Sequence, residues 1–334
     1  MKQTVLRLMQ ESGAFTAFRL ANRHKALILT YHRFSEDGRD GSTSAQTLAE
    51  QLEYLSRHYQ LVSLSTLVDH LQGPQPLPAG LAAITIDDGY RDAYEVALPV
   101  LRRYDAPATL FAVTQFVDGQ LWPWWDKIQY ATLNTRALRF EGAINQQSFC
   151  FDFKDRASRI SAAERLKTYL KTITEERKRE NLATIGELLD VELPERAPEI
   201  YAGITWQQAR EMESAGVEIA SHTLTHPILT QVGDDQLDCE LRGSKARLEA
   251  ELRRPVDLIC YPNGDANARI RLAAKRAGYR AAVTIEDGFN DKPCDLLALR
   301  RVHSEPDFAH FVQCTSGFEQ MKNRLRYALA KAAS

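Results

Sequence analysis

The chain has 334 residues, 44% hydrophobic and 26% charged, a composition typical of a soluble globular protein with room for one large domain or two modest ones. Its 42 basic and 44 acidic residues leave a formal charge of −2, so no global field draws it to nucleic acid or to an anionic membrane. Five scattered cysteines without C-x-x-C spacing argue against a disulfide framework and a structural zinc site, and predict a reducing compartment.

Residues 1–25 read as a weakly amphipathic leader helix broken by charges, not as a signal peptide. No later stretch approaches the roughly 18 apolar residues of a membrane span, so a cytoplasmic location is expected. The run ALILTY (26–31) is apolar and β-leaning, and predicts the first strand. Leu48, Leu52 and Leu55 recur at helical spacing and predict a helix over 47–58; 64–71 gives another, and GPQPLPAG is a connector. LAAITI is the next strand, 93–104 a helix, and the apolar half of DAPATLFAV a strand. The rhythm then breaks over 118–201, which holds WPWWDKIQYA, a hairpin signal in ALRFEGAINQQSFCFDF, and one long charged helix from 161 to about 178. This segment is predicted to be a partly helical insertion. Alternation returns with helix 206–215, strand GVEIAS, helix 234–252, a strand in VDLICYP, helix 268–277 and strand YRAAVTI, and a C-terminal helix is expected over 316–334. Such alternation implies an α/β fold with parallel strands and crossover helices, open or closed into a barrel, built from 26–117 and 202–315.

Asp87 and Asp88, in TIDDGY, directly follow an apolar strand, where sites on parallel sheets and barrels are built. The plainer reading is an Asp-Asp-Gly turn that ends the strand. A second constellation, SHTLTHP, sets His222 and His226 four residues apart after another strand. On a helix that spacing shares one face, whereas Pro227 favours a loop. Either arrangement holds one metal, and two histidines with an acid are a common zinc set.

Taken in order, TIDDGY, PATLFAV, SHTLTH and YPNG resemble the polysaccharide deacetylase family (NodB homology domain, carbohydrate esterase family 4) over roughly 26–117 and 203–302. The resemblance implies a deformed (β/α) barrel that hydrolyses an N-acetyl group from an amino sugar at a divalent metal, usually zinc. It makes Asp88, His222 and His226 the metal ligands, and Asp87 the general base that takes a proton from the attacking water. Residues 260–264 fall on the family's Arg-x-Pro-aromatic motif, with Cys260 in place of the arginine and Asn263 in place of the aromatic. Tyr261, Pro262 and Gly264 are therefore expected at the substrate, and the Asn263 backbone N–H as the oxyanion donor. Arg301, in LALRRVH, is expected either to replace the missing arginine from another strand or to be an exposed surface residue. His303 is the candidate acid for the leaving amine and His32 its competitor; Tyr31, His32 and Tyr90 are expected to face the site. Trp122, Trp124 and Trp125 either form a sugar-stacking platform or pin the insertion to the barrel, with Trp124 and Trp125 the pair expected at substrate. The expected function is a metal-dependent N-deacetylase whose partner is an N-acetylated polysaccharide, lipid-linked glycan or sugar precursor. Two alternatives are a hydrolase of a non-sugar amide on the same scaffold and an inactive glycan-binding protein, which the altered third motif permits.

Overall fold

The computed structural model describes residues 13–38 and 41–322. In chain order its strands are β1 (Leu27–Tyr31), β2 (Phe34–Ser35), β3 (Thr43–Ser44), β4 (Gln60–Leu61), β5 (Leu81–Ile86), β6 (Ala108–Ala112), β7 (Arg139–Ile144), β8 (Gln147–Asp152), β9 (Val217–Ser221), β10 (Leu258–Cys260), β11 (Ala281–Asp287) and β12 (Leu299–His303). Seven of them form a closed parallel barrel in the order β1-β12-β11-β10-β9-β6-β5, because β1 pairs with β5 on one edge and β12 on the other. The short β4 lies beside the start of β5.

Every residue of β1, β5 and β6 is buried, the pattern of strands covered on both faces. Alternate side chains divide between two cores. Ile28, Ala83, Phe111, Ala220, Leu258 and Leu299 point inward and pack together. Leu29, Ile84, Leu110 and Ile219 point outward against the helices. The helix Leu64–Gln72, capped by Ser63, adds Leu64, Leu67 and Leu71 to the inner group. The helix expected over 93–104 begins as a π-helical stretch, Ala93–Ala97, before Leu98–Arg103. Pro99 has no N–H to return to the preceding turn, which favours that local irregularity.

Between β6 and β9 the chain builds a separate apolar cluster that includes Ile128, Phe140, Phe149, Phe151, Phe153, Leu166, Leu170 and Ile185. β7 and β8 form the expected hairpin, turning at Asn145 and Gln146 with φ of 46° and 68°. The single long helix expected from 161 to 178 is instead two, Arg156–Leu170 and Glu175–Leu188. Thr174 accepts a hydrogen bond from the Arg177 N–H and so starts the second helix, a capping signal hidden by the run of charges.

Ala14–Ala21 is helical, and its Phe15 and Phe18 pack edge-on against Phe318. Residues 318–322 are helical too; 22–25, expected in the leader helix, form a turn after the Asn22 cap instead, and 1–12 and 323–334 lie outside the described residues. No helix among the described residues is long and apolar enough to cross a membrane.

Candidate active site

β5 delivers the two aspartates to the carboxyl rim of the barrel. The Asp87 N–H donates to the Tyr31 carbonyl at 2.9 Å, which extends the β1–β5 ladder by one residue. The chain then turns sharply, with φ of 73° at Asp88 and 90° at Gly89, so the two carboxylates diverge. Asp87 faces the barrel interior and accepts from Arg301 Nη1 at 2.7 Å and Nη2 at 2.8 Å. That guanidinium is fully satisfied: Nε donates to the Thr284 carbonyl (2.8 Å), and Nη1 also to the hydroxyls of Thr30 (2.9 Å) and Thr85 (3.1 Å). Cys260 Sγ lies 3.2 Å from Arg301 Nη2. Burial pushes the Asp87 carboxyl up, but Arg301, through its charge and its hydrogen bonds, outweighs this and holds it well below the usual carboxylate range.

Asp88 faces the other way, toward two imidazoles. Its Oδ1 is 3.5 Å from His222 Nε2 and 3.6 Å from His226 Nε2. The His222 N–H donates to the Ala112 carbonyl at 2.9 Å, prolonging the β6–β9 ladder. The loop beyond is irregular, not helical, and is held by buried Glu240, which accepts the N–H groups of Leu224 (2.9 Å) and Thr225 (3.0 Å). Asp88, Thr223, His226 and Asn263 are four of the nine non-glycine residues with positive φ among the described residues. Such concentration of local strain marks functional rims.

The donor set fits a divalent cation. His222 Nδ1 is 2.8 Å from the Cys260 carbonyl oxygen, which only accepts, so Nδ1 carries a proton and Nε2 is left to face Asp88. At 3.5 Å that nitrogen and the carboxylate oxygen call for a positive charge between them, a proton or a metal ion; burial lowers the His222 pKa, but Cys260 and Asp88 outweigh it and raise it well above the ordinary value. Tetrahedral zinc, with bonds of about 2.0–2.2 Å, places its donors about 3.3–3.6 Å apart. Burial, then the charge of the neighbouring His222, pushes His226 down to about 3, which leaves the His226 imidazole neutral.

These groups floor a cavity of about 350 Å³. His32, Tyr261, Asn263, Gly264, Ile285 and His303 line the barrel side; Trp124 and Trp125 line the other. Glu164, Lys167, Thr168 and Lys171 complete that wall, at a spacing that sets them on one helical face. Polar residues at that spacing read as a solvent face in sequence, so this wall was not anticipated. A Cβ on Gly264 (φ 71°) would sit 2.5 Å from the Ile285 nitrogen, so only glycine fits this turn.

Several expected substrate contacts are placed elsewhere. Tyr31 turns outward into the core and donates its hydroxyl to Gln51 at 2.7 Å. Its position on β1 alternates with inward-facing Thr30, which settles its face. Tyr90 is also buried; its hydroxyl donates to Asp126 at 2.6 Å. Pro262 is buried behind the turn; Tyr261 lines the cavity as expected, although its hydroxyl donates to the Leu297 carbonyl at 3.1 Å. Arg301, expected either to stand in for the missing arginine or to lie on the surface, is 0% exposed and is paired with Asp87, the first of those alternatives. Trp122 is buried against Tyr130 and Tyr201. His32 Nε2 stands 3.6 Å from Asp87 Oδ2. Burial, with the charges of His32 and Arg301, lowers the pKa of His303.

Comparison with known proteins gives the chain a family. Over 103 residues the chain is 32% identical to YxkH of Bacillus subtilis (strain 168), a match covering 31% of this chain and 37% of that protein. Over 96 residues it is 30% identical to the poly-beta-1,6-N-acetyl-D-glucosamine N-deacetylase of Escherichia coli (strain K12), covering 28% of this chain and 14% of that protein. The chain therefore aligns with well under two thirds of either relative's length. The fold is shared with the Streptococcus pyogenes deacetylase PplD, solved in complex with acetate (TM-score 0.59, 20% identity, 87% of this chain and 98% of that one). It is shared equally with IcaB from Ammonifex degensii (TM-score 0.59, 19% identity, 88% and 97%). The family model for polysaccharide deacetylases matches residues 75–282, from before β5 into β11, and on that span the chain belongs to the polysaccharide deacetylase family.

Proposed function

We propose that the chain is a divalent-metal-dependent hydrolase that removes the N-acetyl group from an amino sugar of a glycan. The observation that carries this reading is the divided pair: Asp87 clamped by Arg301 beside Asp88, His222 and His226, all on the floor of one cavity. The name of the Escherichia coli relative makes β-1,6-linked N-acetylglucosamine the first substrate to test.

A metal held by Asp88, His222 and His226, zinc in the first instance, would act as a Lewis acid on the acetyl carbonyl and acidify the water there. Asp87 takes the proton from the attacking water. Held so far below the usual range it is a weak base, so its proton uptake would need a water already acidified by such a metal. Arg301 keeps Asp87 ionised and fixes its orientation, the task vacated where Cys260 replaces the family's arginine. That supply from β12 supports an active enzyme over an inactive binding protein. The Asn263 backbone N–H is assigned to the developing oxyanion, and His303 to protonation of the leaving amine. A lowered pKa makes protonated His303 a stronger donor but confines that form to lower pH. Trp124, Trp125, Tyr261 and the helical face from Glu164 to Lys171 form the walls for the sugar. The described cysteines are all unpaired, which supports a cytoplasmic setting.

The test is acetate release from β-1,6-linked N-acetylglucosamine oligomers and from chitooligosaccharides, after chelation and again after zinc is restored. Zinc-dependent release from either is expected. Tight zinc binding without acetate from any sugar would move the reading to another amide, and failure to bind zinc at all would remove the enzyme reading.

A further inference from the structure

The segment 118–201 grips the stretch that begins at His226 at three separate points. The Trp125 indole lies against the His226 imidazole, with ring centres 4.5 Å apart. The Glu175 carboxylate accepts the Ile228 N–H at 3.2 Å, and the Lys171 carbonyl accepts the Gln231 amide at 2.7 Å. Trp125 also reaches the turn that bears Asp88: its indole N–H donates at 2.7 Å to Tyr90, two residues on, and Tyr90 donates in turn to buried Asp126. Glu175 is fixed by Lys178, which is 1% exposed, with Nζ 2.7 Å from that carboxylate and 4.8 Å from the Trp124 ring.

The proposed reaction has no use for Lys178, Glu175 or Tyr90. An ion pair such as Lys178–Glu175, with its lysine buried and its carboxylate largely so, also adds little stability relative to apolar residues, since desolvation offsets the attraction. What it does supply is a carboxylate in one orientation, aimed at a backbone N–H two residues past His226. That residue sits at a positive φ of 60°, a conformation its surroundings must impose.

We infer that the segment 118–201 is a brace for the metal centre, with Trp125 and Glu175 as positioning residues that hold His226, and through Tyr90 the Asp88 turn, at ligand spacing. The inference rests on Asp88, His222 and His226 being the metal ligands. Groups that orient ligands from behind are typically worth about 10–100-fold in metal affinity.

The experiment is a zinc titration of the full chain against a chromogenic chelator, with far-UV circular dichroism to verify folding. Trp125→Ala and Glu175→Ala are expected to weaken zinc binding by about 10–100-fold. Trp125→Phe keeps a ring against His226. The double variant Glu175→Gln with Lys178→Met keeps an oxygen for the Ile228 N–H without a buried charge. Both are expected to recover most of the affinity, which a general loosening would not allow; should Trp125→Ala misfold, Trp125→Leu supplies the bulk without the ring. Native zinc affinity in the folded Trp125 and Glu175 variants, or no recovery in the conservative ones, overturns the brace. His222→Ala in the same titration isolates the underlying reading: zinc retained there overturns the ligand assignment, whereas zinc lost there but kept in the brace variants overturns the brace alone.

Discussion

Asp87 and Asp88 are adjacent in sequence and opposed in surroundings, and the left-handed turn at Asp88 is what separates them. Asp87→Asn should keep its zinc, because Asp88 and both histidines remain, while kcat falls by about 100–10,000-fold through loss of the base. Asp88→Asn should instead weaken zinc binding, since a charged donor becomes a neutral amide. Bound zinc and turnover measured across a zinc titration tell the two apart; rescue of the Asp87 variant by excess zinc would falsify the division of roles. Arg301→Met makes a different point. It leaves Asp87 buried without its guanidinium partner, and breaking a buried pair in this way costs about 3–5 kcal/mol. Urea melts should show a loss of that size together with a fall in kcat, whereas a surface arginine would give a change under about 0.5 kcal/mol.

At the scale of elements, the hairpin β7–β8 turns on two residues with positive φ, Asn145 and Gln146. Two-residue turns of this hand favour Asn-Gly, because a left-handed residue other than glycine carries roughly 1–2 kcal/mol of steric cost. Gly gives part of that back in chain entropy, about 0.5–1 kcal/mol. Gln146→Gly should therefore stabilise the protein by about 0.5–1 kcal/mol, read as a rise in melting temperature; an unchanged or lower value would mean that the Gln146 side chain contributes contacts of its own. The first of the two helices that follow carries a polar face toward the cavity and an apolar face, Ala163, Leu166 and Leu170, into the cluster built on the hairpin. Their division at 171–174 matters for the site, because it presents the Lys171 carbonyl and Glu175 to the loop beyond His226.

Across the whole molecule, Asp126 joins the barrel to the segment that roofs it. It is 3% exposed, and burial, partly offset by the Tyr90 hydrogen bond and the charges of Arg33 and Lys167, pushes it up to about 7 from an ordinary 3.8. Arg33 is shared with Asp92, 2.6 Å away, and stands 4.0 Å from Asp126, which limits its help. Because the folded-state value lies above the unfolded one, the contribution to stability is full below about pH 4 and is lost as pH rises through about 7. Asp126→Asn should flatten that slope, gaining on the native protein by up to a few kcal/mol between pH 4 and 8. Urea melts at pH 5 and pH 8 decide it, and parallel losses in both proteins would place the titration elsewhere. The sequence by itself determined the alternation of strand and helix, because strands buried on both faces must be continuous apolar runs. It also determined where chemistry enters, because TIDDGY and SHTLTH each follow such a run. Only the tertiary structure decided that β1 closes the barrel onto β5, that Tyr31 and Tyr90 turn away from the cavity, and that Arg301 is the partner of Asp87 across 214 residues of chain. Those outcomes depend on which edges meet when a twisted sheet closes and on which of two alternating faces then lies inside, and residues so far apart in the chain carry no local sign of either.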